Sequence, residues 1–216
     1  SLDEIFFNIS NKISLPFNTC AVTFDDGFEN NYSVAAPILE EFKVPTTFYL
    51  STDFINNNSM SWIDKIEYCF ENTKSGCIQL PWKKNKLNFF NKNDKIIILD
   101  KIRNQIKKNF DIKIDKFVKS IFEQCNMVIP SSLNTELDKK LNWGQVKKLQ
   151  KNFLFTIGGH SHNHVSLGSL SKKKAEVEIN KSFALFKKKA NIKLKHYSYP
   201  EGQKIDFNAN IINRLK

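Results

Sequence analysis

The pattern at residues 19–50 constrains the fold most, because two short β-rich runs flank a helical one. Residues 19–24 (TCAVTF) and 46–50 (TTFYL) have the composition of buried strands. Residues 32–42 carry apolar side chains at helical spacing, and Val44 and Pro45 end that pattern. A strand, a helix and a strand within about 30 residues predict a βαβ unit, and hence an α/β fold with a parallel sheet or barrel.

The segment 55–142 interrupts this alternation, and we predict that it is an insertion packed on a single domain spanning residues 1–216. Within it the sequence predicts helices at residues 62–70, 92–109 and 115–126 and a hairpin at residues 76–90. The alternation then returns. The predicted elements are a helix at 143–151, a strand at 153–157, a helix at 171–189 with Ser171 as its N-cap, and a strand at 195–199.

Composition narrows the classes of protein and partner. A chain of 216 residues is long enough for one domain with a real core, and no run of about 20 apolar residues predicts a membrane span. The net charge of +11 would attract anionic partners. The lysines are scattered rather than gathered in one stripe, however, so we do not expect a nucleic-acid partner.

The cysteines and the N-terminus bear on the cellular compartment. None of the four cysteines lies in a C-x-x-C pair, and Cys20, within an apolar run, is predicted to be a small core residue. Free thiols suit a reducing compartment, and no signal peptide is visible after Ser1. These features favour a cytoplasmic location; an extracellular or periplasmic one fits if a signal segment was removed. Nothing in the sequence indicates an oligomeric state.

Three of the four histidines lie within five residues, in the stretch GGHSHNH that follows a predicted strand. On a helical turn His160 and His164 would face the same side and could bind one ion together. In an extended segment His162 would instead pair with His160 or His164. Both geometries predict a metal site, and the sequence leaves the pair of ligands open.

Two further polar groups lie at predicted strand ends. Asp25 and Asp26 follow the first strand, where adjacent carboxylates repel each other unless a cation or hydrogen bonds compensate. A third stretch, residues 199–202 (YPEG), follows the last predicted strand. Active sites of parallel α/β folds form at the C-terminal ends of strands. Imidazole and carboxylate groups there indicate a catalytic metal site, with a base beside the ion.

The motifs TFDDG, at residues 23–27, and HSHNH, at residues 160–164, resemble the polysaccharide deacetylase family, the NodB-homology carbohydrate esterases. The resemblance implies a distorted (β/α) barrel of the NodB-homology type. It also implies that Asp26, His160 and His164 bind one divalent ion, with zinc as the default, and that Asp25 is the general base. His162 occupies a variable position and receives no ligand role.

The implied activity is removal of an acetyl group from an N-acetylated sugar of a polysaccharide or its precursor. The third family motif appears as residues 198–202 (SYPEG), which implies a substrate or oxyanion role for Tyr199 and Glu201 and lacks the family's arginine. The family's late histidine, its general acid, has no counterpart, since no histidine follows His196. We therefore expect a C-terminus truncated relative to a longer protein. The alternative is a carbohydrate-binding relic that binds metal but is catalytically weak.

The insertion contains aromatic residues, for which the sequence allows two interpretations. Trp62, Trp82 and Phe89 could stack on sugar rings, although aromatics in such a segment more often form its own core.

Overall fold

The structure is a computed structural model that describes residues 1–108, 112–130 and 137–215; the end of the helix predicted to reach residue 109 lies outside them. The chain folds as a mixed α/β protein and divides into two compact units. The first unit comprises Ser1–Ser59 and Leu133–Lys216, and the second comprises Met60–Ser132. The described helices include none that is both long enough and apolar enough to cross a bilayer.

A parallel sheet forms the centre of the first unit. Its strands are β1 (Val22–Phe24), β2 (Thr46–Leu50) and β5 (Phe155–Gly159), in the order β1-β2-β5. The predicted βαβ unit is thereby confirmed, with Val22 opposite Thr46 and Thr46 opposite Phe155. Within the described residues this sheet has three strands and does not close into a barrel. Because all three strands are parallel, the loops after β1 and β5 emerge at the same edge.

The first unit also contains helices. They are α1 (Leu2–Ser10), α2 (Ala36–Glu41), α3 (Thr52–Asn57), α7 (Trp143–Lys151), α8 (Lys172–Ala190) and α9 (Ala209–Leu215). The main core joins the strands to α7 and α8 through buried apolar side chains such as Phe48, Leu50, Val146 and Phe186. As predicted, Ser171 is the N-cap of α8, although its side chain makes no capping hydrogen bond.

The helix predicted at residues 32–42 is interrupted. Residues Asn31–Ala35 form a π-helical turn before α2 begins at Ala36. Pro37 has no N–H to donate to an earlier carbonyl, and a π turn, with its longer hydrogen-bond spacing, accommodates that loss. The wider turn also rotates the apolar pattern, so Val34, Ile38 and Phe42 are exposed rather than buried.

Two strands predicted in the second half of the chain differ in the structure from their predicted bounds. The strand predicted at 153–157 begins later, at Phe155, and continues beyond its predicted end through Gly158 and Gly159. The segment predicted as a strand at 195–199 makes one isolated parallel bridge, between Gly159 and Tyr197. Its hydrogen bonds to the sheet involve only the peptide groups of Gly159, so the ladder does not extend into a strand.

The second unit lies within the predicted insertion and has its own core. It contains α4 (Trp62–Glu71), β3 (Gly76–Ile78), β4 (Leu87–Phe89), α5 (Lys92–Lys108) and α6 (Ile114–Gln124). β3 and β4 pair antiparallel, which confirms the predicted hairpin. Phe89 is fully buried, and Trp62 and Trp82 pack against the same cluster. These aromatics therefore belong to a local core, and the interpretation of Phe89 as a sugar-stacking residue is wrong.

The described cysteines are all free thiols. Cys20, predicted to be a core residue, is exposed. The sheet begins only at Val22, so Cys20 precedes the buried part of the apolar run.

Candidate metal centre

Asp25 and Asp26 lie in a tight loop directly after β1. Asp26 (φ +70°) and Gly27 (φ +96°) both have left-handed backbone, which favours glycine at the second position. The Gly27 N–H donates to the carbonyl oxygen of Asp25 at 2.8 Å, and the Leu141 N–H donates to that of Gly27 at 2.9 Å. A Cβ at Gly27 would lie 3.2 Å from Cδ2 of Leu50. The loop is thus fixed from both sides and presents the two carboxylates at the sheet edge.

The histidines lie in an irregular loop that follows β5. Ser161 (φ +60°) and His164 (φ +51°) have left-handed backbone, so the loop is neither a helical turn nor an extended segment. It nevertheless brings together the pair that we had inferred for a helical turn. The ring centroids of His160 and His164 lie 5.0 Å apart.

Asp26, His160 and His164 form a compact group of potential metal ligands. One ligand atom from each residue lies within 4.8 Å of the other two. Oδ1 of Asp26 is 3.0 Å from Nε2 of His164 and 3.5 Å from Nε2 of His160. His160 is almost fully buried, whereas the other two side chains are partly exposed, which leaves one side of the group open to ligand exchange.

The proton position on His160 shows why a cation fits this group. Nδ1 of His160 lies 3.0 Å from the carbonyl oxygen of Ser198, which can only accept a hydrogen bond. A neutral His160 therefore carries its proton on Nδ1 and directs the lone pair of Nε2 towards Asp26. Oδ1 of Asp26 is itself buried and receives no hydrogen bond of good geometry. Acceptors that face one another in this way fit a bound cation, and a carbonyl partner on the far nitrogen is typical of metal-binding histidines.

The neighbouring imidazoles also affect the ionisation of Asp26. Burial raises the pKa of the Asp26 carboxyl, but the contacts with His160 and His164 outweigh burial and hold its pKa well below its usual range. Asp26 is therefore a carboxylate at neutral pH and can contribute a negative charge to metal binding.

Asp25 has the opposite shift. Burial raises its pKa most, the neighbouring charge of Asp26 raises it further, and the two imidazoles partly offset both effects. Asp25 is an exposed residue, so solvent reaches it. Asp25 thus combines proximity to the triad with greater basicity than an ordinary aspartate.

Tyr199 and Glu201 follow the residue that binds His160. The carbonyl group of Ser198 accepts the imidazole proton, and the next side chain, Tyr199, stacks on Phe207 with centroids 4.6 Å apart. Burial raises the pKa of the Tyr199 hydroxyl, so it remains protonated at neutral pH. Glu201 is exposed and has left-handed backbone (φ +69°). The structure therefore attaches this stretch to the triad through Ser198.

The remaining histidines lie outside the triad. Nδ1 of His162 is 2.9 Å from Oγ1 of Thr52, and its side chain is buried. Nε2 of His196 lies 2.7 Å from Oδ1 of Asp3, in α1. Neither ring is in the ligand group found among the described residues.

Sequence reasoning missed two polar neighbours of this site, Tyr49 and Glu178. Burial raises the pKa of the Tyr49 hydroxyl, and the charge of Asp25 raises it further, which indicates that the two groups are close. Tyr49 is near the end of β2, a position that could have marked it as a site residue. Glu178 is a buried carboxylate on α8 that binds the histidine loop. Glu178 is one of two acids in a lysine-rich helix, and nothing in the sequence distinguished it as a site residue.

Comparison with known proteins identifies the family of this chain. The model of the polysaccharide deacetylase family matches residues 12–216. The chain belongs to the polysaccharide deacetylase family. The resemblance drawn from the two motifs is therefore confirmed.

Solved structures of other proteins share the fold at low sequence identity. They include the deacetylase PplD of Streptococcus pyogenes in complex with acetate (16% identity, TM-score 0.55) and the BpsB deacetylase domain of Bordetella bronchiseptica (14%, 0.55). A third is a de-N-acetylase of Aggregatibacter actinomycetemcomitans (16%, 0.55). The matches cover 99–100% of this chain but 59–66% of those chains. No curated protein sequence matches.

Proposed function

We propose that the protein is a metal-dependent hydrolase that removes the acetyl group from an N-acetylated sugar of a polysaccharide or its precursor. The observation that carries this proposal is the convergence of Asp26, His160 and His164 beside a second carboxylate, Asp25. Family membership supports it. The Streptococcus pyogenes relative was solved with acetate, the product that such a reaction releases.

In this proposal Asp26, His160 and His164 hold one divalent ion, which supplies Lewis-acid chemistry by polarising the acetyl carbonyl and making water a better nucleophile. Two imidazoles and one carboxylate are ligands that catalytic zinc takes, with further positions left for water and substrate. Zinc is therefore our first choice of ion. Cobalt, nickel and iron fit the same donor atoms.

Asp25 is the proposed general base. Its carboxylate takes a proton from the attacking water, whose oxygen forms a bond to the acetyl carbon. A carboxylate with a raised pKa accepts that proton more readily than an ordinary aspartate, provided that it is ionised at the working pH. The proton held by Asp25 then passes to the leaving nitrogen, directly or through water, as the C–N bond breaks, which gives acetate and the free amine of the sugar.

The backbone N–H of Glu201 is the proposed donor to the oxyanion that develops on the acetyl oxygen. Tyr199, which precedes it by two residues, is proposed to contact the substrate. We also propose that the fold is a distorted (β/α) barrel of the NodB-homology type, of which the parallel sheet β1-β2-β5 would be a part.

A second candidate function is a carbohydrate-binding relic that binds metal without efficient turnover. The observation in its favour concerns the general acid. Within the described ranges, His162 faces Thr52 and His196 faces Asp3, so neither is placed beside the triad to protonate the leaving amine.

One experiment separates these candidates. Metal content and acetate release from a panel of N-acetylated sugars would be measured for the protein and for Asp25→Asn, His160→Ala and His196→Ala. If the protein is the enzyme, we expect about one bound ion per chain, and only His160→Ala should lose it. Acetate release should be lost in both Asp25→Asn and His160→Ala. His196→Ala is the matched control and should keep both properties. A bound ion without acetate release would support the relic, and absence of any bound ion would overturn the metal centre.

A further inference from the structure

Glu178 binds the peptide backbone between the two histidines of the triad. Its carboxylate Oε2 accepts hydrogen bonds from the N–H of His162 at 3.2 Å and of Asn163 at 2.9 Å. Its Oε1 accepts a third from Nδ2 of Asn163 at 2.5 Å. The residue is 9% exposed, on the face of α8 that packs inward. All three donors lie between His160 and His164 in the sequence.

These hydrogen bonds replace those that regular structure would provide. The loop has left-handed backbone at Ser161 and His164 and lies outside both helix and strand, so its N–H groups have no helical or sheet partners. An ionised acceptor makes shorter and stronger hydrogen bonds than a neutral one. One carboxylate on a long, packed helix therefore binds backbone N–H groups that regular structure does not satisfy.

The rest of the loop is held from other directions. The Ser161 N–H donates to the hydroxyl of Tyr197 at 2.9 Å. The N–H groups of Thr52 and Asp53 donate to the carbonyls of Ser161 and His162, at 3.3 and 2.9 Å. Among the described residues, Glu178 is a carboxylate that binds the midpoint of the loop. A shift of that midpoint would change the distance between the two imidazoles.

We propose that Glu178 is a positioning residue that sets the separation of His160 and His164 by holding the backbone between them. The inference rests on the proposed metal centre and assigns this carboxylate neither a ligand nor a proton-transfer role. Changes to groups that orient metal ligands commonly reduce metal affinity by about 10–100-fold. We expect a loss of that size when the carboxylate is removed, in protein that is still folded.

The test is a titration of the metal-free protein with Co²⁺, followed through the visible absorption of the bound ion. It compares the protein with Glu178→Ala, Glu178→Gln and the control Glu176→Ala, which removes a carboxylate two positions earlier and on another side of α8. Circular dichroism and the thermal midpoint of each metal-free variant report whether it is folded. We expect Co²⁺ affinity to fall about 10–100-fold in Glu178→Ala, less in Glu178→Gln, which keeps one acceptor, and not at all in Glu176→Ala. The absorption spectrum of Co²⁺ should also change in Glu178→Ala, because the spectrum reports ligand geometry.

Each outcome has one meaning. If Glu178→Ala folds and binds Co²⁺ with unchanged affinity and spectrum, the inference is overturned while the metal centre stands. A lower thermal midpoint with unchanged Co²⁺ affinity would likewise reduce Glu178 to a purely structural residue. If Glu178→Ala does not fold, Glu178→Gln decides by the same comparison. If the unsubstituted protein binds no Co²⁺, the proposed metal centre is wrong, and the inference about Glu178 falls with it.

Discussion

The location of one proton, on Nδ1 of His160, determines the chemistry available to the triad. The carbonyl of Ser198 fixes the proton there, and the opposite nitrogen then faces Asp26 as an acceptor. In the absence of a metal ion, protonation of an imidazole would relieve the same conflict. Metal binding is therefore expected to compete with protons and to weaken as the pH falls.

A second pair of interacting residues, Cys69 and Cys125, gives a prediction that is independent of the metal centre. A hydrogen bond from the Cys69 thiol lowers the pKa of Cys125 to about 7. A lowered pKa means that the reactive thiolate forms at lower pH than in an ordinary cysteine, for which the pKa is about 8.5. The rate at which iodoacetamide alkylates Cys125, followed by mass spectrometry, should therefore reach half of its maximum near pH 7.

One substitution checks this interpretation. Cys69→Ala should move the Cys125 midpoint up towards that of an ordinary cysteine, about 8.5. An unchanged Cys125 midpoint in Cys69→Ala would contradict the prediction.

At the residue scale the sequence predicted the triad but not its supports. Asp26, His160 and His164 could be found because they lie in two short motifs that follow strands. Glu178 could not, because its neighbours in the site are distant in the sequence and only the fold brings them together. Tyr49 had only its place near the end of β2 to mark it. The pairing of His160 with His164 was also left open, since it depends on left-handed backbone at Ser161, which the local sequence does not require.

At the scale of elements, strand pairing was predictable and helix regularity was not. The βαβ pattern gave β1 and β2 because short β-rich runs have few alternatives. The helix between them begins with a π turn at residues 31–35, because Pro37 removes a hydrogen bond in a pattern that otherwise predicts a regular helix. The segment 195–199 has strand composition, but only Gly159 pairs with it. Composition therefore predicts that a segment is extended more reliably than it predicts a full ladder.

The pairing of β2 with β5 requires a glycine at position 158. A Cβ there would lie 2.4 Å from Cδ1 of Tyr49 and 3.2 Å from the carbonyl oxygen of His196. The tyrosine ring would have to move, so Gly158→Ala should lower the free energy of unfolding by about 1–3 kcal/mol, measured by urea denaturation. Because Tyr49 lies near Asp25, acetate release should fall as well.

Gly144→Ala is the matched control, because its added methyl group would meet one side-chain atom, Oδ1 of Asn142, at 3.0 Å. Alanine is also the better helix former, so we expect the free energy of unfolding to change by less than about 1 kcal/mol. If Gly158→Ala were as stable as Gly144→Ala, the Tyr49 ring could not be packed against β5 as described.

At the scale of the whole molecule, the chain has separate cores. The cluster around Phe70, Phe89 and Phe122 belongs to the second unit, whereas the clusters that surround the sheet belong to the first. The site residues described above all lie in the first unit. Binding of an ion should therefore stabilise the first unit directly, because a ligand stabilises the part of the structure that must unfold to release it.

Metal addition should raise the thermal midpoint of the first unit, and tryptophan fluorescence can report on that unit alone. Of the three tryptophans, Trp143 lies in the first unit, and Trp62→Phe with Trp82→Phe leaves it as the single reporter. Zn²⁺ or Co²⁺ at about 100 times the dissociation constant should add about 2.7 kcal/mol to the free energy of unfolding. A chelator should reverse the effect, His164→Ala should abolish it, and His196→Ala should retain it. If metal raised the thermal midpoint of His164→Ala by the same amount, the ion would bind at a site other than the triad.

The left-handed backbone of the histidine loop has a consequence for protein engineering. A designer who grafted a His-x-x-x-His pair onto an ideal helix would copy the spacing of His160 and His164 but not the path that joins them. The set of residues that must be transferred is larger than the motif. It includes the turn at Ser161, the carbonyl of Ser198 and the carboxylate of Glu178. Pattern searches that score only the histidine spacing will accordingly accept helices that cannot reproduce this arrangement, and a transplanted site should include the residues beneath the loop.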